Sequence, residues 1–283
     1  MEWLRVNRTP WGAEYLLGLS WNWVWVALAL GVAAIAFHLA LHRRAPWRPA
    51  AALDPALLER LPRHVPRHTA AARLYHWTLA AAVTALGATA FLPIAGVTFH
   101  WVAPHWIAGL VLAGAIAFHV GYTLRRRSLR WVRVSAGEVA RAWAARVRGV
   151  PPPLPGKYPL AHRFFHHATA AALAVTLLSG AVLLARVETP WWDANPYLLP
   201  PEVWGVVYLL HGIGAVALIP LVMVHVYLAL RPDRRWLTLS IFRGWIPRER
   251  YLERFDPLRW WPGADPAPAP EQRGPASGPS PLG

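Results

Sequence analysis

The chain has no cysteine among its 283 residues. That absence excludes disulfides, thiolate-held iron–sulfur clusters and covalently attached c-type haem, so any redox centre must rest on histidine. Charge is scarce as well: Asp, Glu, Lys and Arg together make 15 % of the residues, with 14 acids against 29 bases. With 55 % hydrophobic residues and a mean hydropathy of +0.28, the composition is too apolar for a domain with a wet surface. It is that of an integral membrane protein.

Five stretches are long enough to cross a bilayer as helices: Trp21 to Leu41, Leu74 to Ile94, Trp106 to Leu124, Phe164 to Ala185 and Trp204 to Leu230. They are continuous rather than alternating, which excludes a β-barrel. The expected fold is an all-α membrane protein of five transmembrane helices, a four-helix core plus one extra N-terminal span. Residues 1–45 form an outer segment and the first span, 46–73 a cytoplasmic linker, 74–260 the four-helix domain and 261–283 a Pro-rich disordered tail. Pro151 to Pro155 reads as an extended linker, and Arg234 to Trp245 as an interfacial amphipathic helix.

The formal net charge of +15 follows topology and calls for no nucleic-acid partner. Residues 42–73, 125–163 and 231–283 hold 26 of the 29 bases and 9 acids, whereas the opposite side keeps 3 bases and 5 acids. By the positive-inside rule those three segments are cytoplasmic, the N-terminus faces out and the C-terminus faces in. Arg43 and Arg44 follow the first apolar run and no small-residue cleavage site does, so that run is expected to stay as a span.

Thirteen histidines are many for such a chain, and an ionisable side chain at membrane depth is a functional hypothesis by default. His38 and His42 end the first span and read as interfacial anchors. His64 and His68 lie in a basic loop and are expected to be solvated, while His100 sits beside Trp101 in a short outer loop. The depth argument leaves His76 and His225 near the cytoplasm and His105 and His211 near the outside. His211 and His225 are fourteen residues apart on one helix. That spacing climbs about 21 Å and returns to within about 40° of the same face. Facing pairs at two depths suit two stacked haems, each iron clamped by two imidazoles with no open position for oxygen. His119 repeats the spacing fourteen residues after His105 and is an alternate ligand in place of His76. Gly109, Gly212 and Gly214 near these histidines, and Gly87 and Gly180 within spans, fit a macrocycle approaching the backbone or ordinary small-residue helix packing.

The runs Arg73-Leu-Tyr-His76-Trp77, His105-Trp-Ile-Ala-Gly109, Gly156-Lys157-Tyr158 and His211 with His225-Val-Tyr-Leu-Ala resemble the gamma subunit of respiratory formate dehydrogenase, a di-haem cytochrome b. The resemblance covers roughly residues 73 to 255. It implies two haem b groups, with His76 and His225 on the inner iron and His105 and His211 on the outer one, against His119. It further implies an iron–sulfur subunit and a molybdenum or tungsten catalytic subunit outside the bacterial cytoplasmic membrane, with menaquinone or ubiquinone reduced near the inner haem. The oxidation of the primary substrate then lies outside this chain. The corresponding quinone segment is Tyr158 through Arg163. Family members often have Asn and Gln where this chain has Pro159 and His162. The proline removes a hydrogen-bonding group, and His162 is a candidate donor or proton carrier beside Tyr158, with an interfacial role as the competing reading.

Two other functions fit parts of the pattern. A stand-alone quinol-oxidising di-haem cytochrome b would keep the haems and run electrons the other way. A membrane di-iron desaturase or hydroxylase would use His64-x-x-x-His68 and His162-x-x-x-His166-His167, but it lacks a third box and leaves His105 and His211 without a role.

Overall fold

The structure is a computed structural model that describes residues 3–8, 11–12, 14–42, 59–126 and 128–262. Residues 46–58 of the expected 46–73 linker and nearly all of the Pro-rich tail lie outside the described residues.

The apolar runs fold as helices because a backbone inside hydrocarbon can only satisfy its N–H and C=O groups internally. They are α1 (Asn22–His42), α2 (Ala70–Phe91), α3 (Val102–Arg125), α5 (Leu160–Leu183) and α6 (Pro201–Leu230), with the amphipathic α4 (Ala136–Val147) between α3 and α5. Among the described residues four segments are long and apolar enough to cross a membrane: Asn22–Leu41, Val102–Arg125, Leu160–Arg186 and Pro201–Leu230. The remaining expected span, α2, has 22 residues. It is less apolar because Arg73, His76 and three threonines interrupt it. Its start lies four residues before the expected Leu74, where the Thr69 hydroxyl accepts a hydrogen bond from the Ala72 amide and caps the helix.

Neighbouring helices pair as α2 with α3, α5 with α6 and α1 with α6. The seam of the bundle is small: Ala82, Leu112 and Leu173 are buried, with Leu79, Val83, Leu86, Ile116 and Leu218 around them. Large apolar side chains such as Trp25, Phe37, Phe118, Leu178 and Leu230 point outward instead, as a lipid-facing surface requires. Gly214 lets α6 lie directly on Thr176 and Ala172 of α5, because a side chain there would collide with both.

Two small sheets complete the fold. The N-terminal segment forms an antiparallel hairpin, β1 (Leu4–Arg8) with β2 (Glu14–Leu19), and β2 lies along α6. At the other end β3 (His64–Pro66) pairs with β4 (Trp245–Pro247), so that Val65 faces Ile246. Between α6 and the chain's end come α7 (Arg235–Arg243), closed by Gly244 in the left-handed conformation, and α8 (Arg248–Arg254). Leu61, Val65, Ile246, Tyr251, Leu252, Phe255 and Trp260 form the core of this cap. Val65, Ile246 and Tyr251 are fully buried, and burying an apolar side chain of that size stabilises by about 1.5–3 kcal/mol.

Candidate functional site

Two pairs of imidazoles face one another across the bundle. His105 of α3 and His211 of α6 have ring centres 6.2 Å apart, and His76 of α2 and His225 of α6 have ring centres 6.1 Å apart. A metal bonded to two opposed imidazoles at about 2.0–2.1 Å each, with about 1.1 Å from nitrogen to ring centre, separates the centres by about 6.3 Å. Both separations therefore fit one iron between each pair. Among the described residues no three His, Asp or Glu side chains gather as a metal site. Two imidazoles per site suit an iron whose in-plane ligands come from a macrocycle. The backbone beside the outer pair suits it too, since a Cβ on Gly87 or Gly109 would meet no atom within 4 Å. By contrast Gly180, Gly212 and Gly214 are taken up by protein contacts, with His211, Leu19 and Thr176 respectively.

Hydroxyls orient the outer pair. Thr89 donates its single proton to the Ala85 carbonyl at 2.7 Å, so at 2.8 Å its oxygen accepts from Nδ1–H of His105. Likewise Ser179 donates to the Val175 carbonyl at 2.6 Å, and His211 Nδ1–H has the Thr176 carbonyl at 3.0 Å and the Ser179 oxygen at 3.2 Å. A proton held on Nδ1 leaves the Nε2 lone pair free in both rings, which is the tautomer a metal needs. Among the described residues no hydrogen bond holds the ring of His76 or His225. His225 instead lies parallel to Phe165, 5.8 Å between centres at 17°, and His76 meets Trp77 edge-on.

His119 stacks on Tyr75 at 4.2 Å and faces His166 at 6.4 Å. By separation alone this is a rival inner pair. Tyr158 is buried beneath Arg67, whose guanidinium carbon lies 5.4 Å from its ring, and burial pushes its phenol above the usual range. His162 lies in the first turn of α5, three residues before the Phe165 that stacks on the His225 ring. Arg163 is 8 % exposed; it donates to the Arg133 carbonyl at 2.7 Å and pairs with Glu138 of α4, so it fastens the start of α5.

His68 departs from the solvated expectation. The β3–β4 pairing buries it among cations, and burial together with Arg67 and Lys157 brings it down to about 3. His64 stays exposed and stacks on Trp245 at 3.8 Å, while His167 bonds the Val132 carbonyl at 2.9 Å. The five box histidines thus turn to different partners, and the di-iron reading has no converging ligand set. His38, expected as an interfacial anchor, joins Tyr227 at 3.1 Å and Arg231 at 3.2 Å, tying α1 to the C-terminal end of α6.

Sequence reasoning missed Thr89, Ser179 and Pro220. Hydroxyls inside apolar spans were the available signal for the first two. Pro220 interrupts the hydrogen-bond ladder of α6 between His211 and His225, where a bend alters the relative aim of the two rings.

No curated protein matches the chain. The sequence model described as prokaryotic cytochrome b561 matches residues 67–244, a stretch that takes in all four paired histidines. That match stands at the level of the cytochrome b family and does not single out the formate dehydrogenase gamma subunit. The chain belongs to the prokaryotic cytochrome b561 family, whose members are haem b-binding electron-transfer proteins of the membrane.

Proposed function

We propose that this chain is the membrane-anchor cytochrome b subunit of a respiratory dehydrogenase of the formate dehydrogenase type. It sits in the bacterial cytoplasmic membrane with α2 as a fifth span and the N-terminus outside. One b haem is held by His105 and His211, and another by His76 and His225. It carries electrons from an extracytoplasmic iron–sulfur subunit, attached to a molybdenum or tungsten subunit, to menaquinone or ubiquinone on the cytoplasmic side. The observation that carries this reading is the two facing pairs, at 6.2 Å and 6.1 Å, that share α6. Fourteen residues of helix set their two α6 members about 21 Å apart, most of the way across a hydrocarbon core of about 30 Å.

A bound b haem supplies a one-electron couple, and two imidazoles leave it no site for oxygen. The chain's own residues do the rest. Thr89 and Ser179 keep the outer lone pairs aimed, Phe165 fixes the His225 ring, and His162 is the proton carrier nearest the inner pair, with Tyr158 at the edge of the quinone segment. A charge moved across the full membrane exchanges about 2.3 kcal/mol per 100 mV with the potential.

The haem-to-protein ratio of the purified chain, with its reduced visible spectrum, tests the reading. Two b haems per chain, and copurification with an iron–sulfur subunit, are expected. A colourless chain or one haem overturns the assignment, and isolation as an active free cytochrome favours the stand-alone quinol oxidase.

A further inference from the structure

Arg67 is 4 % exposed, yet two of its donors, Nε and Nη1, have no hydrogen-bond partner. Among the described residues its side chain makes one hydrogen bond, from Nη2 to the Lys157 carbonyl at 3.1 Å. Three aromatic faces hold the guanidinium, those of Tyr158, Phe255 and Trp260, at 5.4, 5.0 and 5.3 Å from the ring centres. A buried charge with unmet donors is costly unless an anion completes it.

Among the described residues no acid does so. The groups acting on Arg67, His68, Lys157 and His162 are Tyr158 and the bases Arg73, Arg130 and Arg234, besides one another and His76 and His225. Nearby carboxylates are engaged elsewhere: Glu138 with Arg163 and Arg259, Asp233 with Arg231, Glu253 with Arg250 and Arg254. Lys157, the only lysine in the chain, joins the cluster, and burial with the cations Arg67 and Arg130 brings it down to about 8. Such a concentration of positive charge has the chemistry of a site for one or two oxyanions.

Placement indicates which oxyanion. Arg67 lies over Tyr158, seven residues before the Phe165 that stacks on His225, and it precedes the Thr69 cap of the helix that carries His76, so it stands at the end of the bundle that holds the inner pair. We infer that Arg67, assisted by Lys157, is a carboxylate clamp for the propionates of a haem carried by His76 and His225. This rests on the proposed di-haem reading. The clamp does two things: it selects the acid form of the macrocycle at the inner site, and its positive charge favours the reduced iron there.

The test loads purified wild type and Arg67→Gln with haem b or with its dimethyl ester, in which both carboxylates are blocked. Wild type is expected to prefer the free acid at the inner site by at least tenfold, and Arg67→Gln to lose that preference. With haem b, the inner midpoint potential is expected to fall in the variant while the outer one stays. An unchanged preference in Arg67→Gln overturns the clamp. A lipid phosphate is the other source of such an oxyanion, so vesicles with and without phosphatidylglycerol form a second arm. An Arg67 effect seen only with the anionic lipid also overturns it. Where Arg67→Gln fails to hold the inner haem at all, Lys157→Gln reads the same preference, and no change there rejects the inference. One haem per wild-type chain would instead reject the di-haem reading itself.

Discussion

The outer and inner imidazole pairs have nearly equal separations, 6.2 and 6.1 Å, but are held by different physics. The outer rings are fixed by hydroxyls that have already spent their protons on helix carbonyls, so each Nδ1 has one role to play. The inner rings have aromatic neighbours and share their end of the bundle with Arg67, which the cap holds. The difference lies in what surrounds each pair. Neutral hydroxyls can orient a ligand without burying charge, whereas a packed cap of aromatic side chains can hold an arginine in place.

The largest effects should come from removing a ligand on either side. His211→Ala is expected to lose the outer haem alone and His225→Ala the inner haem alone, each halving the haem-to-protein ratio and stopping quinone reduction by the dehydrogenase partner. Normal electron flow in His211→Ala would reject its ligand role. Next come the orienting groups. Thr89→Val and Ser179→Ala should weaken outer haem binding by about 10–100-fold, the range for lost outer-shell partners, and leave the inner site unchanged. Equal losses at both sites, measured by haem titration, would dissolve the contrast. His119→Ala sharpens the inner assignment: haem content and both midpoint potentials should persist, and loss of the inner haem would move the ligand from His76 to His119.

The smallest effect is electrostatic and should be confined to α4 and the start of α5. Hydrogen bonding to Arg163 holds the Glu138 carboxyl below its ordinary value of 4.5, outweighing a smaller opposing contribution from burial. A depressed carboxylate contributes stability that is present above that value and is lost as pH falls through the folded one. Hydrogen exchange at 136–147 should therefore speed up below about pH 4.5, and Glu138→Gln should be nearly insensitive to the same acidification. Exchange in the outer hairpin should follow its own course, because its Arg8–Glu14 pair is highly exposed and contributes little.

How legible each part was depended on how local its cause is. The helices of the expected spans could be read because apolar length is a property of consecutive residues, and the start of α2 was displaced by a cap at Thr69 that hydropathy does not register. The amphipathic α7 was visible for the same reason. The cap was not: β3 and β4 are three residues each and contain prolines, and they pair across about 180 positions. Nothing in either strand alone marks it as one. Arg67 looked like one more base in a cytoplasmic loop until that pairing buried it.

By itself the sequence determined the class of solvent, the placement of the long helices and the fourteen-residue interval on α6, since each follows from composition or from helical pitch. Only the tertiary structure decided which imidazole meets which, where the hydroxyl protons go and why an arginine can sit buried. Those depend on side chains brought together from segments far apart in the chain, and the geometry of packing, rather than any local preference, selects among the possible partners.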